Sequence, residues 1–142
     1  MKTSARNHFE GTITSIHEGA VNAEVEITTA SGLSVVAMLT MGSVKRLGLQ
    51  TGKEAAALVK ASSIVLVTDA EGARFSTRNA LAGTVSVLKT GAVNTEVDVR
   101  LSDGHTLAAI VTNESAQSLN LRLGMPVIAI FKASSVIVGV AP

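Results

Sequence analysis

Residues 4–68 and 76–140 superimpose at a constant offset of 72 with no gap, and 23 of the 65 paired positions are identical. A chain of this kind is one small module written twice, so its architecture has to close within roughly 65 to 70 residues and then be repeated. Modules that small bury little apolar surface for the entropy they lose, which predicts that copies pack against one another or oligomerise. The repeat also separates polar residues that return from those that vary. Within these spans, of the Lys and Arg only Arg6 with Arg78 and Lys60 with Lys132 occupy equivalent positions. They sit in the two best-matched polar strings, Ser-x-Arg-Asn and Lys-Ala-Ser-Ser.

Within one module the pattern alternates with a period of two. Gly11 to His17 carries Ile13 and Ile16, and Val21 to Thr28 alternates through Val21, Ala23, Val25 and Ile27, as half-buried strands do. Gly19 turns the chain between them. Ala30-Ser31-Gly32, equivalent to Ser102-Asp103-Gly104, marks a second hairpin into Val35 to Leu39. The period then lengthens: Thr112 to Leu121 offers a Thr cap, a polar first turn and spaced apolar residues, and Thr40 to Leu49 is its twin, so a short helix is expected in each copy. Ala55 to Val59 with Ile64 to Val67, and Val127 to Phe131 with Val136 to Val140, complete five strands per copy. The fold class is all-β: two tandem OB-like five-stranded Greek-key barrels, each with one short helix. The expected organisation is a first module at 1–68, a linker at 69–75 and a second module at 76–142.

Composition narrows the function. Apolar residues make up 46% of the chain with only two Pro, as in a folded globular protein. The formal net charge is +1, so no long-range field gathers polyanions and any anion must be recognised locally. Phe9, Phe75 and Phe131 are the only aromatics, too few to stack bases, which argues against nucleic acid. Without cysteine there is no disulfide, thiolate ligand or thiol nucleophile. No apolar leader or membrane-length apolar run is present, which suggests a cytoplasmic protein with no membrane partner. His8, His17 and His105 do not recur and read as surface residues rather than a metal site.

The recurring strings carry the chemistry. Lys60 and Lys132 interrupt apolar runs and are followed by Ala61-Ser62 and Ala133-Ser134. An ammonium there needs a counter-charge if buried, or keeps its head in water. Arg6 in Ser4-Ala5-Arg6-Asn7 and Arg78 in Ser76-Thr77-Arg78-Asn79 precede the first strand, where a guanidinium, a hydroxyl and backbone amides can converge on oxygen. The alternative is a carboxylate partner, Glu24 or Glu96. No acidic residue lies inside either string, so the donor set suits an oxyanion and not a metal cation. Thr40 with Ser43, and Thr112 with Ser115, add hydroxyls at the helix starts, as caps or as ligands. Gly19-Ala20-Val21-Asn22 returns unchanged as Gly91-Ala92-Val93-Asn94, either a glycine-dependent turn or a second, weaker anion site. No nucleophile and base recur together and no glycine-rich phosphate loop is present, so catalysis is not expected.

Taken in order, Ser-Ala-Arg-Asn, Gly-Ala-Val-Asn-x-Glu-Val, Thr-x-x-Ser and Val-Lys-Ala-Ser-Ser resemble the Mop-type (Mop/TOBE) molybdate-binding module, and the whole chain resembles a tandem, two-Mop molbindin over about 130 of its 142 residues. The resemblance implies a protein that binds molybdate, and with it tungstate, for intracellular storage or homeostasis, with no organic cofactor. It further implies a homotrimer with a pseudo-sixfold ring of modules. In that arrangement the Ser-x-Arg-Asn string of one module and the Lys-Ala-Ser string of a neighbouring module close around one anion, with Thr40 and Ser43, or Thr112 and Ser115, nearby. The Gly-Ala-Val-Asn strings would form a second class of site on the threefold axis. Two departures stand out: Thr77 replaces the usual Ala, and Gly42 faces Glu114 in the other copy. The alternative function is a molybdate-responsive regulatory or transport-associated module acting through a protein partner.

Overall fold

Period-two burial is what the computed structural model, which describes residues 1–142, shows along the strands Asn22–Thr28, Asn94–Leu101 and Pro126–Phe131, while Ser34–Thr40, Glu54–Val59 and Thr106–Thr112 each bury three residues in a row. The first half contains β1 (Asn7–Glu18), β2 (Asn22–Thr28), β3 (Ser34–Thr40), α1 (Met41–Leu47), β4 (Glu54–Val59) and β5 (Val65–Val67). The second repeats this as β6 (Asn79–Thr90), β7 (Asn94–Leu101), β8 (Thr106–Thr112), α2 (Asn113–Ser118), β9 (Pro126–Phe131) and β10 (Ile137–Gly139). On β2, Ala23, Val25 and Ile27 face inward, and on β7 Thr95, Val97, Val99 and Leu101 do the same. Phe9 and Phe131 anchor the two cores from non-equivalent strands, β1 and β9. Each such side chain contributes about 1.5–3 kcal/mol on leaving water.

Two compact units result. The first comprises Met1–Val59 with Lys132–Pro142, and the second Lys60–Phe131. Their antiparallel sheets run β10-β4-β1-β2-β3 and β5-β9-β6-β7-β8. Here the expectation that each repeat supplies all five of its strands is corrected: β10 pairs with β4 through Ile137↔Leu58, and β5 pairs with β9 through Val65↔Ile130. The last strand of each repeat has been exchanged. Local sequence does not choose between the two edges: β5 and β10 are both three residues long and each leaves a one-turn 3-10 segment (Ala61–Ser63, Ala133–Ser135), so long-range pairing decides which sheet each completes. Residues 69–75, read as a linker, lie inside the second unit, where Ala73 N–H donates to Ala70 O (2.9 Å).

A bulge recurs in both copies. The β1–β2 register shifts between Ile13 and Ser15, and the β6–β7 register between Val85 and Val87, leaving Thr14 and Ser86 as the extra residues. Their hydroxyls donate to Glu26 O (3.4 Å) and Asp98 O (3.3 Å). The bulge explains why Ile13 and Ile16 are three residues apart in a strand of period two. Beside it, a Cβ on Gly11 would lie 2.3 Å from Thr28 O, and one on Gly83 2.4 Å from Arg100 O, so the recurring glycine is a requirement of strand approach.

Candidate anion site

Each Ser-x-Arg-Asn string ends in a buried asparagine. Asn7 is paired with Val59 where the β1–β4 ladder closes, and Asn79 with Phe131 where β6–β9 closes. The residue before each asparagine is the recurring arginine, and the residue after each partner is the recurring lysine. The asparagine is thus the fixed end of the string, while Ser4, Arg6, Ser76 and Arg78 remain exposed. Arg6, Arg78, Glu24 and Glu96 each take part in an interaction within the chain. Glu96, whose side chain is largely buried, is also 3.9 Å from the exposed Lys89 Nζ.

Copies of the string are held differently. In the first, the Ala5 amide donates to Thr3 Oγ1 (3.1 Å) on an exposed segment. In the second, Thr77 places its hydroxyl on Phe131 O, and the Asn79 amide reaches back to Thr77 Oγ1 at 3.3 Å. The Thr that departs from the usual Ala therefore pins its string to the end of β9.

Lys60 and Lys132 are exposed, with buried Ala61 and Ala133 and exposed Ser62 and Ser134 after them. Neither ammonium is buried within the chain, so of the two readings of these lysines the water-exposed head is the one found. The turn Ala61–Ser63 packs on β8 within the second unit, and Ala133–Ser135 on β3 within the first. In both units the Lys-Ala-Ser string therefore comes from the other sequence repeat.

Thr40 and Thr112 are helix caps, accepting from the amides of Ser43 (3.1 Å) and Ser115 (3.0 Å). Their hydroxyls in turn donate to Ser43 Oγ (3.0 Å) and Ser115 Oγ (2.8 Å), so each serine hydroxyl keeps its proton for an acceptor outside the chain. Within the first unit the Thr40 and Ser43 hydroxyls and the Ser-x-Arg-Asn string do not meet. Thr40 pairs with Asn22 at the Glu18 end of β1, whereas Asn7 starts that 12-residue strand, roughly 36 Å away along it.

Gly19-Ala20-Val21-Asn22 and Gly91-Ala92-Val93-Asn94 are exposed turns closed by the glycine amide on the asparagine carbonyl, at 2.8 Å in both. A Cβ at Gly19 or Gly91 would come within 2.8 or 3.0 Å of that same carbonyl oxygen, which is why glycine recurs. Met41 N–H donates to Val21 O (2.8 Å) and Asn113 N–H to Val93 O (2.9 Å), fixing each turn to the start of its helix.

Sequence reasoning missed the side-chain ties in the second copy, formed by Thr95 and Asn113. Thr95 Oγ1 donates to Asn113 Oδ1 (2.7 Å), and Asn113 Nδ2 donates to Gly91 O (2.9 Å). The signal was present as two polar residues standing opposite Ala23 and Met41. His105 is also corrected from a plain surface residue: its Nδ1 lies 2.5 Å from Asp103 Oδ2 and its amide donates to Asp103 Oδ1 (3.0 Å), bracing the hairpin turn.

A hollow of about 460 Å³ in the first unit is lined by Glu10 and Glu54 among threonines, with no Lys or Arg, a lining poorly suited to an anion. No group of three or more His, Asp or Glu is arranged to hold a metal ion. No helix is long and apolar enough to cross a membrane.

The model of the TOBE domain matches residues 3–66 and again residues 76–138. The chain is a tandem TOBE-domain protein of the molbindin family. It is similar to the cytoplasmic molybdate-binding protein ModG, whose molybdate-bound crystal structure is 47% identical, covers 99% of this chain and 100% of that one, and superimposes with a TM-score of 0.94. Among curated relatives, the molybdenum transport protein ModE of Herbaspirillum seropedicae is 43% identical over 140 residues. The molybdenum-pterin-binding protein MopA of Rhodobacter capsulatus is 42% identical over 137. This TOBE pair spans 52% of the length of each of those two relatives.

Proposed function

We propose that this protein binds molybdate, and tungstate with it, for intracellular storage and homeostasis, without catalysis. The observation that carries the reading is the end-to-end likeness to ModG, a molybdate-binding protein, at 47% identity. The strings support it chemically. A tetrahedral dianion held by one Arg, one Lys and neutral donors is charge-compensated and coordinated without a covalent bond, so it can leave again. Sulfate offers the same charge and oxygens and is discriminated by cavity size, while protonated phosphate turns a donor toward donors.

In this reading Ser4, Ala5, Arg6 and Asn7, and equally Ser76, Thr77, Arg78 and Asn79, meet a Lys-Ala-Ser string (Lys60, Ala61, Ser62 or Lys132, Ala133, Ser134) when further copies of the chain pack against it. Ser43 and Ser115, whose oxygens accept from the Thr40 and Thr112 hydroxyls and whose own O–H remains to donate, complete the shell. The separation of the Ser-x-Arg-Asn string and the hydroxyls along β1 supports assembly, and a homotrimer is the proposed form. A cytoplasmic location, and no nucleic-acid or membrane partner, accompany the proposal.

Calorimetric titration with molybdate and tungstate against a sulfate control tests it. Saturable binding is expected, weakened at the affected sites by about tenfold to a hundredfold in Arg78→Ala or Lys132→Ala, the range for hydrogen bonds to charged groups. Absence of heat with every oxyanion overturns it. A second reading, a molybdate-sensing module acting on a protein partner, is favoured by relatives twice as long that include a DNA-binding transcriptional dual regulator ModE from Escherichia coli. Molybdate-dependent capture of a defined partner would separate the two.

A further inference from the structure

The two Gly-Ala-Val-Asn turns are identical in sequence yet differ in how their acceptor oxygens are disposed. In the second, Asn94 O accepts from Gly91 N–H, Val93 O from Asn113 N–H, and Gly91 O from Asn113 Nδ2. Three of the turn's oxygens are therefore engaged, while the amides of Ala92 and Val93, on an exposed tip, donate to nothing within the chain. Thr95, 2% exposed, donates to Asn113 Oδ1 and so sets which face of that amide looks at Gly91. In the first turn Met41 and Ala23 stand at these positions. Val21 O and Asn22 O are engaged there by backbone amides, but no side chain reaches Gly19 O.

An anion approaching such a tip is attracted by amide N–H dipoles and repelled by unengaged carbonyl oxygens. Tying Gly91 O to an amide donor withdraws one repelling oxygen and restricts the backbone that carries the donors, so less ordering remains to be done on binding. We propose that Asn113, oriented by Thr95, is a positioning residue that makes the 91–94 turn a preformed receptor for a doubly charged tetrahedral oxyanion, a device the 19–22 turn lacks. This rests on the oxyanion-binding reading above and adds a residue-level cause of inequality between the two copies. Glu114, the acidic neighbour of Asn113, is the same in every second-turn comparison below, so its repulsion cancels.

The test is an amide-resolved NMR titration of the whole chain with molybdate, following Ala92 and Val93, Ala20 and Val21, and Arg6 and Arg78. Asn113→Met should raise the midpoint at Ala92 and Val93 by about fivefold to tenfold, the worth of one hydrogen bond, and leave Arg6 and Arg78 unmoved. Thr95→Ala should act in the same direction, and Thr95→Ser should restore the wild-type midpoint. Grafting the tie into the first turn, Met41→Asn with Ala23→Thr, should lower the midpoint at Ala20 and Val21. Amide hydrogen exchange without molybdate should quicken across residues 91–94 in Asn113→Met. The inference is overturned if Asn113→Met leaves the Ala92 and Val93 midpoint unchanged, or if those amides stay silent while Arg6 and Arg78 respond. Silence at all six positions would sink the binding reading itself.

Discussion

The two helical corners began as one sequence and are now fastened by different physics. In the first, Val44 is 4% exposed and Leu49 5%, Gly48 closes the helix in the left-handed region (φ +62°), and Lys53 Nζ donates to Leu47 O (2.9 Å) and Gly48 O (3.3 Å). In the second, α2 buries no residue: Ala116 replaces Val44, Asn120 takes the left-handed position (φ +52°), and the Lys53 position is Met125, whose sulfur accepts from Arg122 N–H (3.0 Å). A hollow of about 320 Å³ opens beside α2 between Leu88, Ala116 and Leu121, and includes Thr95 and Asn113. Helices of six or seven residues do not hold themselves together in water, so each needs an external fastening. Apolar burial serves the first and the Thr95–Asn113–Gly91 tie the second. The threonine cap and the backbone bond from the first helical amide to Val21 O or Val93 O are common to both, because they satisfy amides that every helix start leaves open.

The comparison can be broken most sharply at Val44. Val44→Ala should cost about 2 kcal/mol by emptying a packed site, whereas Ala116→Val, which adds the same groups beside the hollow, should change stability by under about 1 kcal/mol. Urea unfolding midpoints of the two variants check this, and equal and opposite shifts would mean that both corners are packed alike. A smaller effect separates the helix ends. Gly48→Ala puts a side chain at φ +62° and should cost about 1 kcal/mol, while Asn120→Gly, at a position already strained for its residue, should gain a few tenths; a loss in Asn120→Gly would show that its side chain matters more than its backbone. The smallest difference concerns Lys53. Lys53→Met, which copies the second corner, should lower the melting temperature by only a degree or two, since the cap it removes is exposed to water. A larger drop would make the charged cap, and not Val44, the main fastening of α1.

Much of this organisation was readable beforehand. Alternating Val25 and Ile27, or Val97 and Val99, specify strands because only a period of two puts them all on one face. Gly19 and Gly91 mark turns because a Cβ there would crowd the asparagine carbonyl. The Thr-x-x-Ser spacing located both caps. The bulges at Thr14 and Ser86 were not legible, since a single extra polar residue in a strand looks like ordinary alternation until its partner strand is known. The same holds for Asn113. Its amide matters only because β7 brings Thr95, and the helix start brings Gly91, into reach, and neither contact follows from neighbours in sequence.

By itself the sequence determined the duplication, the strands and turns of each copy, the position of the helix caps and which basic residues return, because each is dictated by interactions a few residues apart. Tertiary structure alone decided that β5 completes the second sheet and β10 the first. It also decided that each unit carries a lysine string from the opposite repeat. Three-residue strands such as Val65–Val67 and Ile137–Gly139 have nearly interchangeable local preferences, so which sheet edge they join is settled by long-range pairing, about which a linear pattern of hydrophobicity says nothing.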